Sequence, residues 1–133
     1  MEKVICDTDV LIDYFDNTKP RHQSTRQILE SQIGIDNIVL SAITKMELIA
    51  GAANKAELKL LNKNIHRFNI LLINPQITSI GLNLVEAYRL SHKIDIPDAI
   101  IAASALYSNL TLFTYNLRDY RFIDNLRLFN TVA

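Results

Sequence analysis

The sequence predicts an α/β fold built on a parallel sheet with helices on both of its faces. Short apolar runs, of which residues 4–6 are the first, alternate along the chain with longer segments of helical periodicity. This alternation is typical of right-handed βαβ units. The chain also contains only three glycines and three prolines, which favours helices joined by short loops. We therefore expect one domain over residues 1–133, with a mostly parallel sheet of four to five strands.

The composition is typical of a globular domain that remains in water. Hydrophobic residues make up 49% of the chain and charged residues 21%, which is close to the average for such domains. No apolar run approaches the roughly 18 residues of a membrane span. Glu2 and Asp7 also interrupt the region where a signal peptide would be apolar. We therefore expect a cytoplasmic protein without a membrane partner, and the lone Cys6 excludes an internal disulfide.

The first apolar run, residues 4–6, is expected to be a strand that is buried on both faces. Thr8 is a suitable N-cap for the short helix that follows this strand. A loop over residues 17–20 then leads to a helix over residues 21–33. Gly34 comes directly after this second helix, at a position where glycine commonly ends helices.

The middle of the chain predicts two more strands and two more helices. Residues 37–40 form the second strand, and Ser41 is placed to cap a third helix that ends at Gly51,. A fourth helix covers residues 54–68, where apolar residues recur at helical spacing. The short apolar run over residues 70–73 is the third strand.

The last part of the chain predicts two longer helices and two strands. Pro75 is well placed to open a helix that ends near Lys93, and an alanine-rich helix begins around Asp98. The small alanine side chains allow this helix to lie close to its neighbours. Residues 111–114 are the fourth strand, and a last short strand is expected over residues 126–129.

Acidic residues follow the predicted strands or open a predicted helix. Asp7 comes directly after the first strand, and Asp9 follows it two residues later. Glu47 lies in the helix after the second strand, Asp98 in the first turn of a helix, and Asp119 shortly after the fourth strand. The carboxyl ends of parallel strands share one edge of a sheet, where open α/β folds bind ligands. We therefore expect these five carboxylates to converge in one pocket.

Each of these acids also has a purely structural interpretation, which the sequence leaves open. Carboxylates near a helix N-terminus serve as caps and favour the positive end of the helix dipole. Exposed carboxylates pair with lysines or add polarity to loops. The structural interpretations are helix capping for Asp7 and Asp9, an ion pair with Lys45 or Lys55 for Glu47, a capping box with Asp95 for Asp98, and loop polarity for Asp119.

A cluster of carboxylates without Cys or His favours one class of metal chemistry. Hard oxygen ligands select Mg²⁺ or Mn²⁺, and such a site activates water and stabilises the leaving oxygen of a phosphodiester. The three histidines share no metal-ligand spacing. The sequence also contains no glycine-rich phosphate loop, no G-x-S-x-G and no H-E-x-x-H motif,.

The charge distribution is compatible with a phosphate polymer as substrate, although the formal net charge is zero. Without the five clustered acids, nine of the 14 acidic residues remain against 14 Lys and Arg, so the surrounding surface is about +5. One face of the predicted fourth helix is basic and is either a solvated face or an edge that contacts RNA phosphates. The residues of this basic face are Lys55, Lys59, Lys63 and Arg67.

Four motifs, in this order along the chain, resemble those of PIN-domain ribonucleases, and within that group those of the VapC toxins of bacterial type II toxin–antitoxin pairs. They are D-T-D-V-L-I-D at 7–13, S-A-I-T-K-M-E-L-I-A-G at 41–51, I-P-D-A-I-I-A-A-S-A-L at 96–106 and L-F-T-Y-N-L-R-D-Y at 112–120. The resemblance spans almost the whole chain and implies a PIN-like domain. It also implies an acidic catalytic quartet that binds the metal, formed by Asp7, Glu47, Asp98 and Asp119.

The same resemblance implies supporting roles for Thr8, Thr114 and Asn116. Asp9 departs from the family pattern, because many relatives carry Asn or Ser there, so a role as a metal ligand or in tuning the pocket stays open. Such toxins cut RNA with Mg²⁺ or Mn²⁺, form homodimers and are silenced by a cognate antitoxin. The C-terminal segment of that antitoxin covers the active site.

Two other function classes compete with this interpretation. A haloacid-dehalogenase-type phosphotransferase would use Asp7 as nucleophile and Asp9 as acid/base. However, V-I-C-D-T-D is one apolar residue short of that motif, and Asp98 has no acidic partner three to five residues further on. A non-catalytic PIN-like module that binds RNA or protein is the second alternative. Loss of a quartet residue would indicate such a module, and all four residues are present.

Overall fold

The computed structural model describes residues 2–131. Its centre is a four-stranded sheet in the order β3-β2-β1-β4, and every neighbouring pair of strands is parallel. The prediction of an α/β fold with a parallel sheet is therefore confirmed. The strands are β1 (Val4–Cys6), β2 (Ile38–Ser41), β3 (Asn69–Leu71) and β4 (Thr111–Phe113).

Six α-helices surround the sheet in the part of the chain that the structure describes. Each predicted helical segment has a counterpart, although several boundaries differ by a few residues. The helices are α1 (Thr8–Phe15), α2 (His22–Gln27), α3 (Ala42–Ala50), α4 (Lys55–Ile65), α5 (Pro75–His92) and α6 (Ile96–Ser108).

The sheet separates two hydrophobic clusters, so helices cover both of its faces. Val4 and Cys6 of β1 belong to one cluster, together with residues of α1 and α4. Ile5, between them, belongs to the other cluster, which contains the buried residues of α5 and α6. Successive side chains of a strand point to opposite faces. The buried apolar run of β1 therefore contributes side chains to both cores. Burial of an apolar side chain such as Val or Ile stabilises the folded state by about 1.5–3 kcal/mol.

Helices α5 and α6 lie close together because small residues separate them. A Cβ atom added at Gly81 of α5 would lie 3.1 Å from Ile100 Cδ1 and 3.9 Å from Ala103 Cβ. Ala99 and Ala102 of α6 are fully buried. The expectation that the alanine-rich helix packs close to its neighbours is confirmed. This packing holds the start of α6, with Asp98, against the sheet.

Two predicted helix boundaries need correction. The N-cap of α1 is Asp7 rather than Thr8, because the Asp7 carboxylate accepts a hydrogen bond from Thr8 N and Thr8 is the first helical residue. The helix predicted over residues 21–33 continues beyond α2 as a π-helical turn, Ile28–Ile33. This turn closes with a bond from Gly34 N to the Leu29 carbonyl, five residues back.

The strand predicted over residues 126–129 is wrong as a regular element. Leu128 forms only an isolated parallel bridge to Leu112 of β4. The backbone bonds of this bridge run from Leu112 N to the Arg127 carbonyl and from Phe129 N to the Leu112 carbonyl. A left-handed residue, Asn125 with a φ of 68°, precedes the segment. Among residues 2–131, no helix has both the length and the apolar character needed to cross a bilayer.

Candidate active site

The carboxyl ends of β1, β2 and β4 meet at one edge of the sheet, since β1 lies between β2 and β4. Asp7 follows β1 directly, α3 with Glu47 follows β2, and Thr114 follows β4. We refer to this part of the molecule as the acidic edge. The parallel arrangement therefore brings together motifs that are more than 100 residues apart in the sequence, as Asp7 and Thr114 are.

Asp7 is buried and held by two donors. Its Oδ1 atom accepts a hydrogen bond of 2.8 Å from Thr8 N, and its Oδ2 atom accepts one of 2.8 Å from Thr114 Oγ1. Burial raises the pKa of Asp7 to about 6, and the neighbouring charge of Asp9 contributes to this increase, whereas the hydrogen bonds from Thr114 and Thr8 act in the opposite direction. Asp7 is therefore both the cap of α1 and a carboxylate under electrostatic strain.

Asp98 lies in the first turn of α6 and meets a buried tyrosine. The hydroxyl of Tyr120 donates a hydrogen bond of 3.0 Å to Asp98 Oδ1. Burial raises the pKa of Asp98 to about 6 against the effect of this bond, and the charges of Asp7 and Asp119 add to the increase. Burial raises the pKa of Tyr120 as well, and the charges of Asp7 and Asp98 add to this increase, so Tyr120 stays a neutral donor. Tyr120 thus bonds to Asp98 and lies near a second acid of the predicted quartet, Asp7.

Sequence reasoning missed Tyr120. It follows Asp119 at the end of the fourth motif, where an aromatic residue is expected simply to fill the core. The side chain is fully buried, and its ring packs among the residues of the second core cluster. A buried tyrosine usually finds a partner for its hydroxyl, and this rule is the one signal that pointed to a bond here.

Glu47 is exposed and is oriented by a threonine of another helix. Thr8 Oγ1 donates a hydrogen bond of 2.6 Å to Glu47 Oε1 and lies 3.1 Å from Thr44 Oγ1. Within residues 2–131, Glu47 forms no ion pair with Lys45 or Lys55. The structure therefore does not support the surface ion pair that the sequence left open.

Asp9 faces the same region from the first turn of α1. Its Oδ2 atom accepts a hydrogen bond of 3.1 Å from Tyr115 N, whereas its Oδ1 atom is buried without a hydrogen-bond partner. Burial raises the pKa of Asp9. The guanidinium of Arg21 lies 4.0 Å from the centre of the Tyr115 ring and is paired with Asp13. This arrangement fixes the loop before α2 beside the acidic edge.

Asn116 and Asp119 occupy the exposed loop after β4. Asn116 N donates a hydrogen bond of 3.0 Å to Thr114 Oγ1, so Thr114 is held between this backbone amide and Asp7. Asp119 ends a short 3₁₀ turn, Leu117–Asp119, in which its N–H bonds to the Asn116 carbonyl. The effect of its charge on the pKa of Asp98 places Asp119 near that carboxylate.

The capping box proposed for Asp98 is not formed. Asp95 is the N-cap residue of α6 but makes no side-chain capping bond. Its carboxylate lies 3.4 Å from Arg89 Nη1 instead, and Asp98 is bonded to Tyr120. Asp7 therefore does serve as a helix cap, whereas Asp98 has no capping role.

The acidic edge fits a hard divalent cation with few protein ligands. No three His, Cys, Asp or Glu side chains within residues 2–131 are grouped so that they hold a metal ion by themselves. Mg²⁺ usually keeps several waters and binds through one or two carboxylates together with substrate phosphates. The oxygen-only donors, the raised pKa values of Asp7 and Asp98 and the unpartnered Asp9 Oδ1 agree with such a site.

Glu47 opens onto two cavities that flank the acidic edge. A pocket of about 600 Å³ is lined by both Glu47 and Asp98, so these two carboxylates face a common space. A groove of about 820 Å³, here called the α1–α4 groove, leads away from Glu47. Its apolar walls are provided by Ile12, Phe15, Leu48, Leu60 and Leu61.

The basic face predicted on the fourth helix is only partly a helix face. Lys55, Lys59 and Lys63 are exposed on α4. Arg67 lies beyond the end of this helix, where its Nη2 atom donates a hydrogen bond of 2.8 Å to Tyr14 Oη. Its guanidinium also lies 5.6 Å from the centre of the Tyr14 ring. Arg67 is therefore held by Tyr14, and the three exposed lysines are the stronger candidates for contact with RNA.

Comparison with known proteins identifies the family. The sequence matches the PIN domain family model over residues 4–124. The chain belongs to the PIN-domain family. This match includes all four motifs and every residue of the predicted quartet, and it confirms the resemblance seen in the sequence. It also favours a PIN domain over a haloacid-dehalogenase-type phosphotransferase.

Individual relatives of this PIN domain cover nearly its full length. Ribonuclease VapC19 from Mycobacterium tuberculosis is 29% identical over 127 residues, which are 92% of this chain and 96% of that protein. A toxin–antitoxin complex from Klebsiella pneumoniae contains a chain that is 31% identical, with a TM-score of 0.74 and 93% and 95% of the two chains covered. A chain in the crystal structure of DNA-bound VapBC from Salmonella typhimurium is 25% identical, with a TM-score of 0.76. The similarity covers 98% of this chain and 99% of that one.

Proposed function

We propose that this PIN-domain protein is a metal-dependent endoribonuclease that hydrolyses RNA phosphodiester bonds and acts as the toxin of a type II toxin–antitoxin pair. The observation that carries the proposal is the geometry of two carboxylates at the acidic edge: Asp7 is held by Thr8 and Thr114, and Asp98 accepts the Tyr120 hydroxyl. Burial raises the pKa of both carboxyl groups to about 6. The similarity to Ribonuclease VapC19 supports the substrate class. The similarity to the toxin–antitoxin complex from Klebsiella pneumoniae supports the toxin role.

The residues of the acidic edge fit Mg²⁺ or Mn²⁺. Asp7 and Asp98 would hold the ion, with Glu47 and Asp119 as further ligands and Asp9 as an additional candidate. When bound, such an ion lowers the pKa of a water molecule and stabilises the leaving oxygen of the phosphodiester. Since no three of these carboxylates within residues 2–131 are grouped closely enough to hold the ion by themselves, water and substrate phosphate would supply the other oxygen ligands.

The other polar residues orient these carboxylates. Thr114 donates to Asp7, and Asn116 N holds Thr114 in turn. Thr8 donates to Glu47, which is exposed at the mouth of the pocket. The exposed Glu47 carboxylate is the proposed acceptor of a proton from the attacking water, a role for which geometry comes before pKa.

RNA would approach the acidic edge across a basic surround. Helix α4 borders the groove that starts at Glu47 and carries Lys55, Lys59 and Lys63 on its exposed face. These lysines, and Arg67 beyond them, are the proposed contacts to RNA phosphates. Phosphate contacts of this kind position a nucleic acid without reading its sequence.

A cognate antitoxin is the proposed partner, and a homodimer the proposed assembly. The α1–α4 groove has apolar walls and begins at Glu47, so a segment of the antitoxin bound there would cover the acidic edge. Leu60 and Leu72 are 59% and 71% exposed, so these apolar side chains are not used by the core and are available to a partner. Ile49 is half-buried beside the groove residue Leu48.

Light scattering tests the proposed homodimer. It is expected to give twice the mass of the chain, and a monomer at micromolar concentration would contradict the dimer.

Cleavage of single-stranded or loop-containing RNA in Mn²⁺ tests the enzyme proposal. The wild type is expected to cut, and Asp98→Asn is expected to lose most of the activity because it keeps the shape and deletes a ligand charge. Asp36→Asn is the matched control, since Asp36 is exposed and precedes β2, at the opposite edge of the sheet. RNA binding by the wild type without cleavage would favour the non-catalytic module instead.

A further inference from the structure

Tyr120 places a single buried hydroxyl against the Asp98 carboxylate of the acidic edge. Its side chain is fully buried, and its backbone N–H bonds to the Leu117 carbonyl at the end of the 3₁₀ turn. The hydroxyl donates to Asp98 Oδ1 at 3.0 Å, and the Asp7 carboxylate lies near enough for its charge to raise the pKa of Tyr120. The residue therefore connects the loop that carries Asp119 to the start of α6.

The two carboxylates depend on Tyr120 to different degrees. Asp7 has its own donors, Thr8 N on one oxygen and Thr114 Oγ1 on the other. The Asp98 carboxylate accepts a hydrogen bond from the Tyr120 hydroxyl only, among the groups of residues 2–131. The orientation of the Asp98 carboxylate therefore rests on one hydroxyl, whereas that of Asp7 rests on several groups.

We propose that Tyr120 is a positioning residue that fixes the Asp98 carboxylate for a divalent cation. Its hydroxyl occupies Asp98 Oδ1 and leaves Oδ2 without a protein donor in the described part of the chain. Partners of this kind hold metal-binding carboxylates in place, and their loss typically lowers metal affinity about 10- to 100-fold. This inference rests on the proposed function, because it assigns Asp98 to the metal site.

Phenylalanine at position 120 separates the role of the hydroxyl from that of the ring. The ring packs in the second core cluster with Leu112 and Ile123, and Tyr120→Phe retains this packing. Tyr14→Phe is the matched control. The Tyr14 side chain is 6% exposed, and its hydroxyl donates a bond of 2.8 Å to Glu30, a carboxylate outside the acidic edge.

Binding of Mn²⁺, measured by calorimetry and by the rise in melting temperature on its addition, is the direct readout. Tyr120→Phe is expected to bind Mn²⁺ roughly 10- to 100-fold more weakly than the wild type, and Tyr14→Phe is expected to bind it equally well. RNA cleavage by Tyr120→Phe should recover as Mn²⁺ is raised. Wild-type Mn²⁺ affinity in Tyr120→Phe would overturn the inference.

A double variant keeps the inference testable if Tyr120→Phe is too unstable alone. Asp98→Asn removes the buried charge that would lose its donor, so Asp98→Asn/Tyr120→Phe is expected to fold. In this background, Tyr120→Phe should cause no further loss of Mn²⁺ affinity, since coupled residues are not additive. A further loss of about 10-fold or more, the size expected for an independent partner, would show that Tyr120 acts without Asp98 and would overturn the inference.

The same measurements distinguish this inference from the proposed function. Weaker Mn²⁺ binding by Tyr120→Phe, in a protein whose wild type cuts no RNA, would support the positioning role and contradict the ribonuclease. Unchanged Mn²⁺ binding by Tyr120→Phe, in a protein whose wild type cuts RNA, would contradict the positioning role and support the ribonuclease. A wild type that binds no Mn²⁺ would overturn both.

Discussion

The carboxyl groups of Asp7 and Asp98 are the groups at which the proposed function would oppose the stability of the fold. Each is held where burial and neighbouring acids raise its pKa to about 6, well above the usual value near 4. Folding without metal therefore carries an electrostatic cost at neutral pH. Such strained, ionisable groups at the edge of a sheet are typical of functional sites.

This cost predicts a pH-dependent effect of Asp98→Asn on stability in EDTA. Below about pH 4, Asp98 is largely protonated in both the folded and the unfolded state, so the penalty is absent. Between about pH 4 and 6 the unfolded chain releases its proton first, and the stability of the folded state falls as pH rises,. Above about pH 6 the full penalty applies. Asp98→Asn should therefore melt higher than the wild type near pH 7 and similarly near pH 4.

Thermal melts in EDTA and in millimolar Mn²⁺ check this prediction. A cation that binds only the folded state stabilises it by mass action, so Mn²⁺ should raise the melting temperature of the wild type more than that of Asp98→Asn. A variant that melts lower than the wild type in EDTA at neutral pH, with an unchanged gain from Mn²⁺, would make Asp98 a structural residue.

The residue scale also shows what sequence reasoning could and could not find. The positions of Asp7 and Glu47 after two neighbouring strands were predicted because strand ends and helix starts are visible in the sequence. The bond from Tyr120 to Asp98 was not predicted, since a tyrosine and a phenylalanine fit the same buried position in a hydrophobic pattern. Whether a buried hydroxyl meets a carboxylate 22 residues away depends on tertiary geometry.

At the scale of elements, the sequence predicted the order of strands and helices but not every boundary. Asp7 and Thr8 are both good caps, and the choice between them depends on the bond from Thr8 N to the Asp7 carboxylate. The π-helical turn before Gly34 was not predicted, because a helical period does not reveal an extra residue in a turn. The segment over residues 126–129 has the apolar pattern of a strand but pairs with β4 at one residue only.

Gly34 illustrates an element boundary with a backbone requirement. Its φ is 93°, and a Cβ added there would lie 3.3 Å from Asn37 Nδ2. Gly34→Ala is expected to lower the free energy of unfolding by about 1–2 kcal/mol, because a side chain is strained at this φ. Gly51→Ala is the control, since its φ is −82° and its nearest contact would be 3.5 Å. Equal unfolding midpoints in urea for Gly34→Ala and Gly51→Ala would contradict this account.

On the scale of the whole molecule, an acidic edge lies within a surface that is otherwise rich in Lys and Arg. The formal net charge is zero, so the separation of charge, rather than its sum, favours a polyanionic substrate. Helix α4 lines the groove that begins at Glu47 with its other residues and carries three exposed lysines outside that lining. The fold thus presents these cations on the exposed surface of a helix that follows α3, the helix that carries Glu47.

This arrangement predicts a salt-dependent contribution of α4 to RNA binding. Replacing Lys59 and Lys63 by Gln should weaken binding to RNA of any sequence. The slope of log affinity against log salt should fall by roughly 0.7 for each phosphate that a lysine no longer neutralises. Lys3→Gln is the control, because Lys3 is exposed and precedes β1. An unchanged salt slope would show that the basic face of α4 is only solvated.

The end groups of the cleaved RNA test the central claim most directly. Hydrolysis by water at a metal site is expected to leave a 5′-phosphate and a 3′-hydroxyl, because the 2′-hydroxyl takes no part in the attack. Mass spectrometry of the products formed in Mn²⁺, with a parallel reaction in excess EDTA, gives the answer. The account predicts these ends in Mn²⁺ and no cleavage in EDTA. A 2′,3′-cyclic phosphate, or full activity in EDTA, would contradict it.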